Sequence, residues 1–211
     1  MGSFVLICCL VASFTLVIVE SSCKFDIAVY YETRCPDSKG FLINQLYPTY
    51  KEMPDIMNID LVPYGKASYK QNGESTVFTC QHGPKECQGN LIQACAKKYL
   101  AVDELMKLTV CMERSYAPET QLDECAKQEN ITQTASIQSC VSGNEGTQLL
   151  RQLGDRTHAL TPKMTFVPWV TLGGVYNENF QNEAITDLKS ALCDRCQGTK
   201  PAGCSPSKRR M

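Results

Sequence analysis

The chain has 211 residues, with 21 Lys and Arg against 22 Asp and Glu, which is room for one large domain or for a domain carrying a sizeable insertion. A balance this close to neutral provides no basic footprint for tracking phosphate backbones, so nucleic acid is excluded as an expected partner. The 13 cysteines are more than a reducing compartment ordinarily tolerates.

The first 19 residues, "MGSFVLICCLVASFTLVIV", form an uncharged apolar run that ends in Glu20 and the small pair Ser21 and Ser22. This predicts a secretory signal peptide over residues 1–22, although its start lacks the usual basic residue. The run is almost long enough to serve as an uncleaved membrane anchor, but small polar residues close it and no basic cluster follows. Cleavage removes Glu20 and no base, leaves 21 charges of each sign, and leaves no membrane span. Cys8 and Cys9 depart with it, so eleven cysteines remain, at 23, 35, 80, 87, 95, 111, 125, 140, 193, 196 and 204. That number in an exported chain predicts a disulfide framework. Because eleven is odd, at least one cysteine stays free, exchanges partners or joins another chain; a monomer is expected, with a covalent dimer as the alternative.

Residues 24–32, "KFDIAVYYE", carry apolar side chains on both parities, as a central strand buried on both faces would. A helix is expected after "CPDS", with Phe41, Leu42, Leu46 and Tyr47 at helical spacing until Pro48 disturbs it. "NIDLVPYG", 58–65, reads as a second strand, and strand–helix–strand over this length is a βαβ unit with a parallel pair. From about residue 66 to 144 the chain changes to a cysteine-rich, mainly helical insertion. One of its helices places Val102, Leu105, Met106, Thr109 and Met112 on one stripe, where methionine serves as core filler. The core resumes with a helix over 145–160 through Leu149, Leu150, Leu153 and Leu160. "TFVPWVTLGGVYN", 165–177, predicts a hairpin turning at Gly173-Gly174. A last helix then sets Ile185, Leu188, Ala191 and Leu192 on one side. A single domain over 23–204 is expected, with core segments at about 24–65 and 145–195 and a basic, solvated tail, "SPSKRRM", at 205–211. The sequon at Asn130 predicts a glycan on an exposed loop.

Two positions carry the chemistry. Cys35 follows a buried strand and stands at the start of a helix, where orphan N–H groups and the positive end of the dipole favour a thiolate. Arg34 beside it adds a positive charge if it points toward the sulfur; the alternative is that Cys35 is half of a structural disulfide. Pro168 opens an apolar strand at a junction where a cis bond is often found, and Val167 before it would then offer its backbone to a peptide. These elements together resemble the thioredoxin fold.

Residues 80–95, "CQHGPKECQGNLIQAC", make the resemblance specific. They match the signature of the gamma-interferon-inducible lysosomal thiol reductase (GILT) family at Cys80, Gln81, His82, Gly83, Glu86, Cys87, Asn90 and Cys95. "LVPYG" at 61–65 and "FVPWV" at 166–170 are similar to that family's strands. The same four thiol and imidazole side chains read as a zinc site would need ligands converging from one loop and one helix at spacings that suit metal poorly. No metal and no cofactor are therefore expected, and His82 is read as a structural residue hydrogen-bonded within the insertion. "CDRC" at 193–196 closes a helix rather than opening one and reads as structural.

The resemblance implies reduction of protein disulfides by a C-x-x-C pair. Here the second cysteine is Ser38, which cannot resolve a mixed disulfide but can hydrogen-bond the Cys35 thiolate. The expectation is an exported, degenerate member with at most monothiol exchange on protein or peptide disulfides, or a non-catalytic protein that binds a protein or cell-surface partner. Secretion is favoured over the lysosome.

Overall fold

A computed structural model describes residues 23–73, 75–197 and 199–204; the expected signal peptide and basic tail lie outside them. Strand β1 (Phe25–Tyr31) is the second strand of a four-stranded sheet ordered β2-β1-β5-β6. It runs parallel to β2 (Met57–Pro63), with Val29 opposite Leu61, and antiparallel to β5 (Trp169–Leu172), with Val29 opposite Val170. Being hydrogen-bonded on both edges and covered on both faces, it has no polar side, which is why its apolar residues ignore alternation. Phe25, Ile27, Val29 and Tyr31 enter the main core, while Ala28 and Tyr30 join Val62 and Trp169 in a smaller cluster on the other face. β5 returns through Gly173 and Gly174, both at positive φ, into β6 (Val175–Tyr176). Two positive-φ residues are what a tight primed turn demands.

The crossover between β1 and β2 continues past Pro48. Helix α1 (Pro36–Phe41) passes into one π turn, Leu42–Leu46, and then into α2 (Tyr47–Glu52). The Tyr47 N–H reaches back to the Leu42 carbonyl. This wider turn carries the helix through a position whose missing N–H would otherwise break it.

The insertion is not wholly helical. It opens with a hairpin, β3 (Ser68–Asn72) and β4 (Ser75–Thr79), before α3 (Pro84–Tyr99), α4 (Val102–Glu113), α5 (Leu122–Gln128) and α6 (Thr134–Ser142). These helices bury Ile92, Met106, Leu108, Met112 and Ile137 in the main core, so insertion and sheet share one interior. Val102, expected on the buried stripe, sits at the first position of α4 and is exposed. Helix α7 (Asn144–His158) then covers the far face of the sheet through Leu153.

Helix α8 (Glu178–Arg195) is bent at Asp187, whose φ of −152° is not helical. The Asp187 carboxylate accepts hydrogen bonds from the N–H and hydroxyl of Ser190 and so caps the second half afresh. The bend rotates the two halves relative to each other. Phe180 and Ala184 bury in the first half and Leu188, Ala191 and Leu192 in the second, whereas Ile185, expected on the same stripe, is 41% exposed.

Among the described residues, five disulfides staple the fold: Cys23–Cys196, Cys80–Cys87, Cys95–Cys140, Cys111–Cys125 and Cys193–Cys204. The two cysteines of "CDRC" therefore take different partners. Among the described residues, Cys35 is the free cysteine. Asn130 lies exposed in a turn at positive φ just after α5.

Candidate functional site

Cys35 caps the N-terminus of α1, with Pro36 in the first turn, and its carbonyl accepts the Lys39 N–H at 3.0 Å. Its side chain is only 7% exposed. Ser38, three residues on, is fully buried. Its hydroxyl accepts a long hydrogen bond, 3.4 Å, from the Glu32 N–H. The expected bond to the Cys35 sulfur is not the one Ser38 makes; its oxygen faces the end of β1 instead.

Arg34 is also used otherwise than expected. It adopts a positive φ of 69°, uncommon for a residue with a Cβ. One nitrogen of its guanidinium donates to both oxygens of the buried Glu119 carboxylate, at 2.9 and 3.0 Å. Its charge is committed to a partner in the insertion. On the same side the Lys39 ammonium donates to the Ser115 carbonyl at 2.6 Å and lies over the ring of the exposed Tyr116. The segment between α4 and α5 thus holds Arg34 and Lys39, which flank the thiol in the chain.

Opposite the helix, the Val167–Pro168 peptide bond is cis, as is Thr161–Pro162, which the sequence did not single out. Gln181 on α8 holds the segment from both sides. Its amide donates to the Pro168 carbonyl at 2.9 Å and its carbonyl accepts the Val170 N–H at 2.7 Å. Between this segment and α1 runs a groove of about 460 Å³, lined by Pro36, Gly40, Phe166, Val167, Pro168 and Ile185. Phe166 and Ile185 are 38% and 41% exposed, so its far wall is apolar and open.

The signature residues converge on the loop before Cys35. Cys80 and Cys87 close an eight-residue ring; with Cys95 bonded to Cys140, no thiol of the signature is left to hold zinc. Gly83 caps α3 at a φ of 83°. Asn90 accepts the Thr33 N–H at 2.9 Å, and the Thr33 hydroxyl donates to the Glu86 carbonyl at 3.0 Å. His82 hydrogen-bonds Glu86 and lies 3.6 Å from Glu32 of the core, so its contacts reach beyond the insertion. Gln81 is exposed. The signature is therefore a clamp on Glu32 and Thr33, a role its spacing alone did not disclose.

Two buried carboxyls flank this loop. Glu32 is raised from its ordinary range, first by burial and then by the charge of Glu86, against the hydrogen bond it accepts from the Lys66 N–H at 2.5 Å. Glu113 is pushed up to about 7 by burial, which outweighs its 2.8 Å bond from Gln93 and the charge of Lys39. The Tyr31 hydroxyl, held protonated by burial, donates to Gln93 at 2.5 Å. A chain Tyr31–Gln93–Glu113 thus joins β1, α3 and α4. No pattern in the sequence marks Glu32 or Glu113 as buried; only their place in otherwise apolar segments hints at it.

Glu32 fits because Gly65 lacks a side chain. A Cβ at Gly65, whose φ is +59°, would stand 2.0 Å from Glu32 Cγ. Gly65→Ala is expected to cost about 2–4 kcal/mol through strain and overpacking. Gly73→Ala, also at positive φ but with nothing within 4 Å, should cost about 1 kcal/mol. Urea unfolding of the two variants checks the contrast, and equal losses would show that Glu32 yields freely.

A thiol capping a helix beside a parallel strand pair, opposite a cis proline, defines a thioredoxin-like scaffold for thiol–disulfide exchange. The oxidoreductase DsbA from Xylella fastidiosa shares this fold, with a TM-score of 0.51 at 12% identity over 82% of this chain and 86% of that one. The profile of the family described as gamma interferon inducible lysosomal thiol reductase (GILT) matches residues 26–129. The chain is 35% identical to the gamma-interferon-inducible lysosomal thiol reductase of Carassius auratus over 205 residues, covering 89% of this chain and 76% of that protein. It is 36% identical to the protein of the same description from Mus musculus over 181 residues, covering 85% and 71%. The chain belongs to the GILT family.

Proposed function

We propose that this is an exported GILT-family protein that exchanges disulfides through Cys35 alone and lacks efficient dithiol turnover. The observation that carries the reading is a free thiol capping a helix opposite a cis proline, with Ser38 where a resolving thiol would stand. The Cys35 thiolate attacks a substrate disulfide, forming a mixed disulfide and releasing one substrate thiolate. An external thiol of the glutathione class then attacks the Cys35 sulfur and releases the second substrate thiol. A second external thiol frees Cys35 and leaves as the oxidised dimer. Two external thiols are oxidised for each substrate disulfide reduced, which balances the cycle.

The groove between α1 and Pro168 is the place for an extended peptide carrying the disulfide, and the slight exposure of Cys35 favours such a strand over a bulky folded surface. Export is supported by the five disulfides and the exposed sequon at Asn130; secretion is the favoured destination and the lysosome the alternative. The apolar, open wall at Phe166 and Ile185 supports a second reading, in which the same groove binds a protein partner without chemistry.

One assay separates the two. With glutathione supplied, the protein is expected to accelerate reduction of a dye-labelled peptide disulfide, and Cys35→Ala to bring the rate to the uncatalysed level. Equal rates for the two proteins would discard the enzyme reading and leave binding.

A further inference from the structure

We infer that Glu32, His82 and Glu86 form a binding site for a divalent cation of the zinc type. His82 Nδ1 and one oxygen from each carboxylate all lie within 4.8 Å of one another. Ligand atoms about 2.0–2.2 Å from a tetrahedral zinc are about 3.4 Å apart, and His82 Nδ1 is already 3.6 Å from Glu32 Oε2. His82 and Glu86 are in hydrogen-bond contact, so loading displaces the proton between them and opens that pair by a small rotation of the Glu86 side chain.

The second observation concerns the oxygens themselves. Glu32 and Glu86 are fully buried, yet Glu32 Oε2 and Glu86 Oε1 have no hydrogen-bond partner. Buried carboxylate oxygens ordinarily find donors, and Glu32 Oε2 is aimed at the imidazole. The surroundings are built to hold it there: Gly65 leaves the space Glu32 fills, and the Cys80–Cys87 ring fixes His82 and Glu86 on one side. One imidazole and two carboxylates suit zinc, while His82, partly exposed, leaves a side open for water as a further ligand. A cation here would tie the end of β1 to the start of α3, three residues before Cys35.

The test is calorimetric titration of zinc sulfate into the chelator-treated Cys35→Ala protein, which removes the free thiol as a competing ligand. One equivalent is expected to bind, with affinity reduced at least tenfold in His82→Ala and in Glu32→Gln. His158→Ala, which alters the chain's other histidine, is expected to stay within twofold. His82 is partly exposed, so its truncation keeps the fold and the comparison remains decisive if Glu32→Gln does not fold. Absence of saturable binding at one equivalent, or unchanged affinity in His82→Ala, would overturn the site.

Discussion

Ser38→Cys is expected to raise disulfide-reductase turnover by at least about tenfold, because it moves the slow step inside the molecule. Cys35 stands at the N-cap of α1 and residue 38 is the third residue of that helix, a spacing that places two side chains within reach of each other across the first turn once the residue 38 side chain turns from the end of β1. A thiol there attacks the mixed disulfide as an intramolecular nucleophile, whose effective concentration far exceeds millimolar external thiol. The site accepts it with modest adjustment: Ser38 is buried, but its hydroxyl makes only the long contact to the Glu32 N–H. The variant should also become sensitive to oxidation, with Cys35 and the new thiol closing a bridge that free-thiol counting detects. A variant that forms this bridge yet shows no faster turnover would mean that the groove, rather than residue 38, limits the reaction.

Stability is expected to fall as the pH rises from 5 to 8, and Glu113→Gln to remove most of that fall. The folded carboxyl keeps its proton up to about 7, against an ordinary value of 4.5. Between those values the folded chain binds the extra proton, so the stabilisation is fully present below about 4.5 and is lost as the pH passes through 7. The size is about 3 kcal/mol at the alkaline end. Lys39 and the Arg34 N–H oppose the shift and Glu119 adds to it. Glu32 is raised in the same direction, so a residual slope remains in the variant. Thermal midpoints at several pH values check this; parallel curves for the two proteins would move the cause away from Glu113.

The sheet was readable because β1 advertises burial on both faces and Gly173-Gly174 advertises a turn, both local signals. The hairpin of β3 and β4 was not. "SYKQN" and "STVFT" carry little apolar alternation because the hairpin packs chiefly through Tyr69 and Phe78. Ile185 was misplaced because helical periodicity assumes a straight axis, and the bend at Asp187 breaks that assumption. In the candidate site, the places of Cys35 and Ser38 at a helix start and the cis bond before Pro168 followed from residue type and position. The use of Arg34 did not, since its partner Glu119 is 85 residues away in the chain. Nor did the clamp on Thr33, which depends on α3 crossing the end of β1.

The bond from Cys23 to Cys196 makes nearly the whole described chain a covalent circle. A protease cutting once anywhere from residue 24 to 195 linearises that circle without setting a fragment adrift. For a protein proposed to be exported, a nick in the exposed hairpin leaves both pieces tethered, and the groove and the nearby Cys35 thiol persist as long as their contacts do.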